Sequence, residues 1–241
     1  MMNGANSLIN KIPKVKRCRD YHVYDFNGRR FFDMYLDGGR AFLGHKPGRT
    51  LLMMKNCLDK GLSAAYPGVW EKRLLNQLQS LYPSIAACSI VFGGGETYYV
   101  FRPFESEQPP ENTIFELLLP MPGSSIVKVV CAADSCKKEL PENDLIPQYL
   151  YSGLCRAAAE LAAAKKNLKD DTWSFFDFSF WKRQGPWLYP TVSEDAYKNI
   201  FSTLLKKGVI ISPYYEQPSC APSQFSEGEI LPIVELAKEF C

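Results

Sequence analysis

The sequence predicts a mixed α/β or α+β fold, because strand-like and helix-like segments alternate along the chain. The clearest strand signal is the tight hairpin turn at Asn27-Gly28, which has apolar and aromatic residues on both sides. The clearest helix signals are the leucine spacing in residues 51–62 and the alanine-rich segment 148–169. The sequence shows no internal repeat, so we expect one large domain or two small ones with ordinary hydrophobic cores.

The composition excludes several functional classes. The 241 residues are 46% hydrophobic and 22% charged, and 28 basic against 26 acidic side chains give a formal net charge of +2. Neither nucleic acid nor an anionic membrane is therefore indicated as a partner. The N-terminus lacks the apolar core of a signal peptide, and no window approaches the ~20 apolar residues of a membrane span. A cytoplasmic location is expected.

The cysteines and histidines predict no metal centre. The eight cysteines form no C-x-x-C pair and no matched metal spacing, so we expect reduced, mostly buried thiols. Only two histidines are present. His22 lies in an alternating, strand-like stretch and His45 in a turn, and each is expected to be structural.

The N-terminal part of the chain predicts a hairpin, two helices and a strand, in that order. After the hairpin, the leucine spacing predicts a helix over 49–62 that ends near Gly61. A second helical period covers 69–83 and stops at Pro83. The apolar run 85–92 predicts a strand, which three consecutive glycines follow.

The C-terminal part predicts further strands and helices after a proline-rich connection. Residues 103–125 hold five prolines and predict a linker with one short strand, TIFELLL. A strand over 124–134 and a long helix over 148–169 come next. The remaining segments alternate strand and helix in the order 172–181, 193–208, 208–215 and 226–240. The last helix opens with Ser226-x-x-Glu229, the spacing of a capping box.

Residues 23–48, VYDFNGRRFFDMYLDGGRAFLGHKPG, carry a recognisable motif. This stretch resembles the N-terminal segment of class III aminotransferases, the fold-type I pyridoxal phosphate enzymes that include glutamate-1-semialdehyde aminomutase. The family has an aromatic-Asp-x-Asp-Gly hairpin, an aromatic-Asp pair and a Leu-Gly-His-x-x-Pro turn. The matching residues here are Tyr24, Asp25, Asn27, Gly28, Phe32, Asp33, Leu43, Gly44, His45 and Pro47. Asn27 stands where the family has Asp, and the proline comes two residues after the histidine.

The C-terminal segment 180–230 resembles the small domain of the same family. It contains a helix, a Gly-Val-aliphatic run, a Ser-Pro turn and a final helix that a serine and acids introduce. The resemblance implies a remnant of the fold-type I pyridoxal phosphate-dependent transferase fold with a C-terminal α+β small domain. It divides the chain into an N-terminal segment 1–102, a shortened central region 103–150 and the small domain 151–241.

The glycine run lies at the family's cofactor-phosphate turn. In these enzymes a strand leads to Ser-Gly-Thr-Glu-Ala and a helix whose start binds the phosphate, and Phe92 to Glu96 fit over that motif. The resemblance therefore implies that Gly93, Gly94, Gly95 and Glu96 are cofactor-binding residues, since glycines let backbone N–H groups approach a phosphate. The residues that follow, TYYVFRP, are aromatic and β-branched and predict a strand instead of the family's helix.

The central region is too short for the chemistry of the family. It offers about fifty residues where a seven-stranded, doubly wound sheet would be expected. Pyridoxal phosphate chemistry needs a lysine amine and a carboxylate that keeps the pyridine nitrogen protonated. Asp134 stands at a strand end, but Lys137 and Lys138 follow too closely and Lys128 lies within the strand. These lysines are interpreted as solvated side chains, and no catalytic residue is predicted.

Three hypotheses follow. The first is a non-catalytic, aminotransferase-like protein without covalently bound pyridoxal phosphate, and the second is an atypical aminotransferase or aminomutase that completes its site in a dimer or with a second polypeptide. The third is an interaction module that uses the aromatic residues Trp173, Phe175, Phe178, Phe180, Trp181 and Trp187. The resemblance also implies a homodimer, and Arg102 and Arg183 are candidates to meet a ligand carboxylate.

Overall fold

The computed structural model describes residues 8–93, 97–121 and 126–238. The chain forms two compact units, one from Met1–Lys46 with Asp170–Cys241 and one from Pro47–Lys169. Both units mix helices and strands, which confirms the predicted fold class. In the part of the chain that is described, no helix is both long and apolar enough to cross a membrane.

The described residues contain eleven strands and five α-helices. The strands are β1 Val15–Arg19, β2 His22–Asp25, β3 Arg30–Asp33, β4 Ala87–Phe92, β5 Tyr99–Phe101, β6 Phe115–Leu117, β7 Val127–Ala132, β8 Trp181–Gln184, β9 Trp187–Pro190, β10 Val209–Ile210 and β11 Ser219–Cys220. The helices are α1 Gly48–Asp59, α2 Trp70–Leu81, α3 Gln148–Asn167, α4 Glu194–Lys206 and α5 Glu227–Ala237. All five helices were predicted from the sequence.

The first unit is built on a four-stranded sheet of order β1-β2-β3-β10. The predicted hairpin is present: β2 and β3 pair antiparallel, and Gly28 adopts the positive φ of +81° that the tight turn requires. Asp25 Oδ1 stabilises the turn by accepting from the backbone N–H groups of Asn27 and Arg29. Strand β10 then joins β3 in parallel, so the N-terminal and C-terminal segments share one sheet.

The helices of the first unit end on capping residues. Ser193 accepts a hydrogen bond from Ala196 N at the start of α4, and Gly208 follows the end of that helix with φ of +91°. At the start of α5, the backbone N–H of Ser226 donates to Glu229 Oε2 over 2.8 Å, so the predicted capping box is confirmed. A second sheet of order β11-β9-β8 completes this unit.

The second unit combines a small mixed sheet with three helices. The described strands form a sheet of order β4-β7-β6-β5, in which β5 and β6 run parallel and the other neighbours antiparallel. Helices α1 and α2 both pack on α3, whose buried face is rich in alanine and other small residues. Among the described residues, this unit has four strands in its sheet.

One segment differs from the sequence prediction, and one predicted strand is more deeply buried than a linker suggests. Residues 172–176 were expected in a strand but form part of a 3-10 helix, Asp170–Phe176, because this places Trp173 and Phe176 together in the core. In the stretch 103–125, the one short strand that the sequence predicted in TIFELLL is present as β6, and it is fully buried between β7 and β5. The apolar residues of this stretch therefore form an inner strand of the sheet.

The thiols and the aromatic cluster lie largely in the interior. The seven described cysteines are free, and five of them are buried, as expected. Of the six aromatic residues considered as a partner surface, four are core residues: Trp173, Phe180, Trp181 and Trp187. Phe175 is exposed and rests on Phe225. These residues therefore hold the first unit together and leave little aromatic surface for a partner.

Candidate functional site

The turn after β4 is the first element of the candidate site. Gly93 ends the strand with φ of +87°, and its backbone N–H donates to the carbonyl oxygen of Ile126 over 2.8 Å. Among the described residues other than its chain neighbours, no atom would lie within 4 Å of a Cβ at Gly93. Gly94, Gly95 and Glu96 lie outside the described residues.

The chain continues from this turn into a strand. The family motif needs a helix whose first N–H groups point at the phosphate. Here β5 begins at Tyr99 and pairs in parallel with β6, and residues 97 and 98 form no helix. The strand that the aromatic sequence predicted is therefore present, and the described residues between Gly93 and β5 begin no helix.

Asp134, the candidate for the cofactor carboxylate, is the second residue after β7. Its side chain is 81% exposed, and its Oδ1 accepts a hydrogen bond of 2.8 Å from Lys137 Nζ. Both residues belong to the 3-10 helix Asp134–Glu139, which carries the carboxylate away from the sheet. A water-exposed carboxylate that already binds a lysine is poorly suited to holding a buried pyridinium nitrogen.

The lysines considered as nucleophiles lie in different surroundings. Lys137 and Lys138 are exposed on the 3-10 helix, as the sequence suggested. Lys128 is half-buried on β7, with its ammonium 5.9 Å from the centre of the Tyr98 ring. Of these three lysines, Lys137 alone has its amine beside the Asp134 carboxylate, and the two groups form an ion pair.

Lys165 is a lysine that the sequence did not single out. It lies in the last turn of α3, where its Nζ sits 4.2 Å from the centre of the Tyr82 ring and donates to the carbonyl oxygen of Glu107. Burial lowers the pKa of Lys165 below its ordinary value of 10.5, and burial also raises the pKa of Tyr82. Nothing in the alanine-rich sequence distinguishes Lys165 from its exposed neighbour Lys166.

A polar network closes the outer edge of β4. Asn143 Oδ1 accepts from the backbone N–H of Ile90, and Asp144 Oδ2 accepts from that of Phe92, each over 2.7 Å. Asn143 also donates to the Tyr151 hydroxyl over 3.0 Å. Side chains thus satisfy the edge of the sheet in place of another strand. A cavity of about 340 Å³ adjoins this network and Cys88, whose pKa burial and Glu71 raise to about 11.

Both histidines of the first unit contact carboxylates. His22 Nε2 lies 2.5 Å from Glu229 Oε1, and Arg30 lies 3.6 Å from the same oxygen. His45 Nε2 lies 2.8 Å from Asp33 Oδ2, while Asp33 Oδ1 accepts from two backbone N–H groups. These pairs connect β2 to α5 and β3 to the turn at His45. The family motif residues Asp33 and His45 therefore hold the local fold.

The two arginines considered for a ligand carboxylate differ in their surroundings. Arg183 binds two carboxylates of its own unit, Asp170 at 2.8 Å and Asp177 at 2.6 Å. These hydrogen bonds raise the pKa of Arg183 and lower that of Asp170. Arg102 directly follows β5 and is half-buried. Arg183 therefore serves a protein-internal ion-pair cluster.

The described residues do not fit pyridoxal phosphate as the family binds it. The N–H of Gly93 is already used within the sheet, the following segment is a strand, and Asp134 points into solvent. The described residues also contain no group of three or more His, Cys, Asp or Glu side chains that could hold a metal ion.

Comparison with known proteins finds relatives of two kinds, although no protein-family model matches the chain. An uncharacterized protein of Borreliella burgdorferi is 26% identical over 92% of this chain and 89% of that protein. An uncharacterized protein of Treponema pallidum is 22% identical over 90% of this chain and 91% of that protein. These relatives share nearly the full length of the chain.

The second kind of relative matches only a part of the chain. Glutamate-1-semialdehyde 2,1-aminomutase of Limosilactobacillus reuteri is 28% identical over 103 residues, which are 40% of this chain and 24% of the aminomutase. The aminomutase of Thermus thermophilus is 27% identical over 84 residues, 35% of this chain and 20% of the enzyme. The chain thus matches about a quarter or less of each aminomutase.

Solved structures show the same fold over the whole chain. The ornithine aminotransferase of Toxoplasma gondii ME49 superimposes with a TM-score of 0.70 at 8% identity, covering 99% of this chain and 93% of that one. An omega-transaminase from Sphaerobacter thermophilus superimposes with a TM-score of 0.66 at 11% identity, covering 94% and 90%. The chain therefore has the fold of the class III aminotransferases and is partially homologous to the glutamate-1-semialdehyde aminomutases.

Proposed function

We propose that this chain is an aminotransferase-like protein that does not carry out pyridoxal phosphate-dependent catalysis. The observation that carries the proposal is the position of Asp134, 81% exposed and bound to Lys137. The cofactor acts as an electron sink only while its ring nitrogen is protonated, and a carboxylate stabilises that proton strongly only where water is excluded. Because Asp134 is exposed, water and not the protein would surround a protonated ring nitrogen beside it.

The glycine turn supports the same proposal. Phosphate binding by a turn of this type uses free backbone N–H groups and the positive end of a helix. The Gly93 N–H is directed at the Ile126 carbonyl, and β5 takes the place of the helix. Phosphate binding by Gly93, Gly94, Gly95 and Glu96 stays a prediction from the family motif. In this proposal the turn serves to connect β4 to β5.

The relatives support a function that does not need the larger central domain. The two uncharacterized proteins align with nearly all of this chain and with nearly all of their own length. A cytoplasmic location stays a prediction from the sequence.

We further propose that the protein is a homodimer that forms through α1 and the segment after it. The face of α1 that does not pack on α3 exposes apolar side chains, and the following segment adds more. These exposed residues are Leu51, Leu52, Leu58, Leu62, Tyr66 and Val69. Several large apolar side chains exposed within one short stretch of chain are typical of a protein interface. A second copy is the natural occupant because the resemblance to class III aminotransferases implies a dimer.

An atypical enzyme is the second candidate, and Lys165 is the observation that favours it. A half-buried amine with a lowered pKa is more nucleophilic at neutral pH than an ordinary lysine. Against this role, its Nζ is engaged by the Tyr82 ring and the Glu107 carbonyl. The Glu107 carboxylate also acts on Lys165 and partly offsets the lowering of its pKa by burial.

Cofactor retention distinguishes the two candidates. The purified full-length protein is mixed with excess pyridoxal phosphate, passed through a desalting column, and its bound cofactor is measured by absorbance, with an ornithine aminotransferase as the positive control. The non-catalytic proposal predicts far less than one cofactor per chain. Retention of one cofactor per chain, together with its conversion to the amino form by an amino acid, would establish the enzyme instead.

A further inference from the structure

A groove on the second unit lies where α1, α2 and α3 meet. Its cavity of about 360 Å³ falls at the small end of the range for sites that hold small molecules. All of its lining residues belong to the unit Pro47–Lys169. None of them takes part in the glycine turn or in the Asp134 region.

The base of the groove is apolar. Trp70, Met53, Cys155 and Ala159 contribute to its lining. The Cys155 thiol points at the carbonyl oxygen of Trp70, 3.4 Å away, and burial raises its pKa to about 12, so it stays neutral. A groove lining with apolar and aromatic side chains favours a ligand that carries a hydrocarbon or aromatic group.

Two guanidinium groups line the same groove. Arg73 lies with its guanidinium carbon 4.9 Å from the centre of the Trp70 ring, and no carboxylate of the described residues pairs with it. Arg156 donates from Nε to Glu160 Oε1 over 3.4 Å, which leaves its terminal N–H groups without a partner in the described part of the chain.

The charges in the groove leave one positive charge unbalanced. Glu160 is held in place by Thr50, whose hydroxyl donates to Glu160 Oε2 over 2.9 Å, and it neutralises one of the two arginines. Guanidinium groups bind carboxylates through paired, charge-assisted hydrogen bonds. The lining therefore complements a single negative charge attached to an apolar body.

We propose that this groove binds a small organic monocarboxylate, with its carboxylate on Arg73 and Arg156 and its apolar group on Trp70. The inference does not depend on the proposed function, because it concerns other residues and no cofactor. The ligand is a binding partner, not a substrate, because the two nucleophilic side chains in the lining are engaged elsewhere. The neutral Cys155 thiol points at the Trp70 carbonyl, and the Ser152 hydroxyl donates to the Tyr149 carbonyl.

Trp70 supplies a direct probe of binding. The chain has four tryptophans, at 70, 173, 181 and 187, and only Trp70 belongs to the second unit. The full-length protein is titrated with cyclohexanecarboxylate, and its tryptophan fluorescence is recorded. Cyclohexanecarboxamide is the control that lacks the charge, and inorganic phosphate is the control that lacks the apolar group. The proposal predicts a saturable change with the carboxylate and a much weaker one with either control.

Matched variants assign the effect to the two arginines. Arg73→Gln and Arg156→Gln should each weaken binding by about tenfold, as expected for loss of a charge-assisted hydrogen bond of about 1.4 kcal/mol. Arg49→Gln, an exposed arginine of α1 outside the groove, should leave the affinity unchanged. Circular dichroism and the urea midpoint check that every variant is folded.

The proposal is overturned by any of three results. These are the absence of saturable binding to the wild-type protein, equal binding of the neutral amide, or an unchanged affinity in both groove variants. Tighter binding of phosphate than of the carboxylate would also contradict it, since the groove would then recognise charge alone. Ligand-observed NMR on the wild-type protein gives a second measurement that does not depend on the variants.

Discussion

Asp134 and Lys137 form an ion pair of 2.8 Å on the surface directly after β7, whereas Asp33 at the end of β3 is buried and bound to His45. Asp33 is the last residue of β3 and Asp134 is the second residue after β7, yet their surroundings are opposite. A buried carboxylate that accepts several hydrogen bonds is costly to replace, while an exposed ion pair contributes little. The contrast between them gives the first prediction.

Asp33→Asn is expected to lower the free energy of unfolding by about 1–3 kcal/mol, because it disturbs the buried hydrogen bonds to Tyr35, Leu36 and His45. Asp134→Asn is expected to change it by less than about 1 kcal/mol. Urea denaturation followed by circular dichroism measures both. Equal losses in the two variants would contradict the assignment of Asp33 to the structural core of the first unit.

The Glu229 carboxylate predicts a dependence of stability on pH. Burial alone would raise its pKa, but hydrogen bonds from Ser226 and His22 outweigh burial and lower the pKa below its ordinary value of 4.5. A carboxylate with a lowered pKa stabilises the folded state at higher pH, and this contribution is lost as the pH falls through the folded-state pKa. Glu229→Gln should therefore cost about 1 kcal/mol at pH 7 and much less at pH 3.

The measurement for Glu229 is a series of urea denaturation curves at several pH values. Glu227→Gln, two residues earlier in the same first turn of α5, is the control for removing an acidic side chain from the start of this helix. A wild-type advantage over Glu229→Gln that stays constant from pH 7 to pH 3 would contradict the role of the ionised carboxylate.

Two glycines near helix ends predict opposite effects of alanine. Gly208 has φ of +91°, and a Cβ there would lie 3.6 Å from the carbonyl oxygen of Arg30. Gly208→Ala should therefore destabilise the protein by about 1 kcal/mol. Gly228 lies within α5 and has open space for a Cβ, so Gly228→Ala should be neutral or stabilising by up to about 1 kcal/mol. Thermal unfolding of the two variants tests the sign of each effect.

The dimer proposal predicts that charge on α1 separates the subunits. Leu52 is 55% exposed on the proposed interface, and Leu231 is 52% exposed on α5 of the other unit. Leu52→Glu should shift the protein from dimer to monomer in size-exclusion chromatography with light scattering, because a carboxylate is costly to bury in an apolar interface. Leu231→Glu should leave the dimer intact. A wild-type protein that is monomeric at high concentration would refute the proposal.

The sequence predicted the local structure of the chain well where the signals are short-range. The hairpin at Asn27-Gly28, the five helices and the capping box at Ser226 each follow from a motif or a period within one segment. The aromatic residues after the glycine turn also predicted β5, which separates this chain from the family motif.

The sequence could not predict the long-range pairings and the surroundings of single side chains. Strand β10 pairs in parallel with β3, although the two strands come from opposite ends of the chain. Strand β10 has only two residues, and their sequence does not indicate β3 as the partner strand. The 3-10 helix after β7 decides that Asp134 is exposed, and the packing of α3 on its neighbours decides that Lys165 is half-buried. The groove arginines are likewise ordinary helix residues until α1, α2 and α3 assemble.

The most direct test of the central proposal is covalent trapping of pyridoxal phosphate. The full-length protein is incubated with the cofactor, reduced with borohydride, digested, and mapped by mass spectrometry for lysines that carry the cofactor, with an ornithine aminotransferase treated in parallel. The proposal predicts only sparse labelling spread over exposed lysines. Stoichiometric labelling of one lysine, lost in a Lys165→Ala or Lys128→Ala variant that remains folded, would contradict it and show that the chain is a cofactor-dependent enzyme.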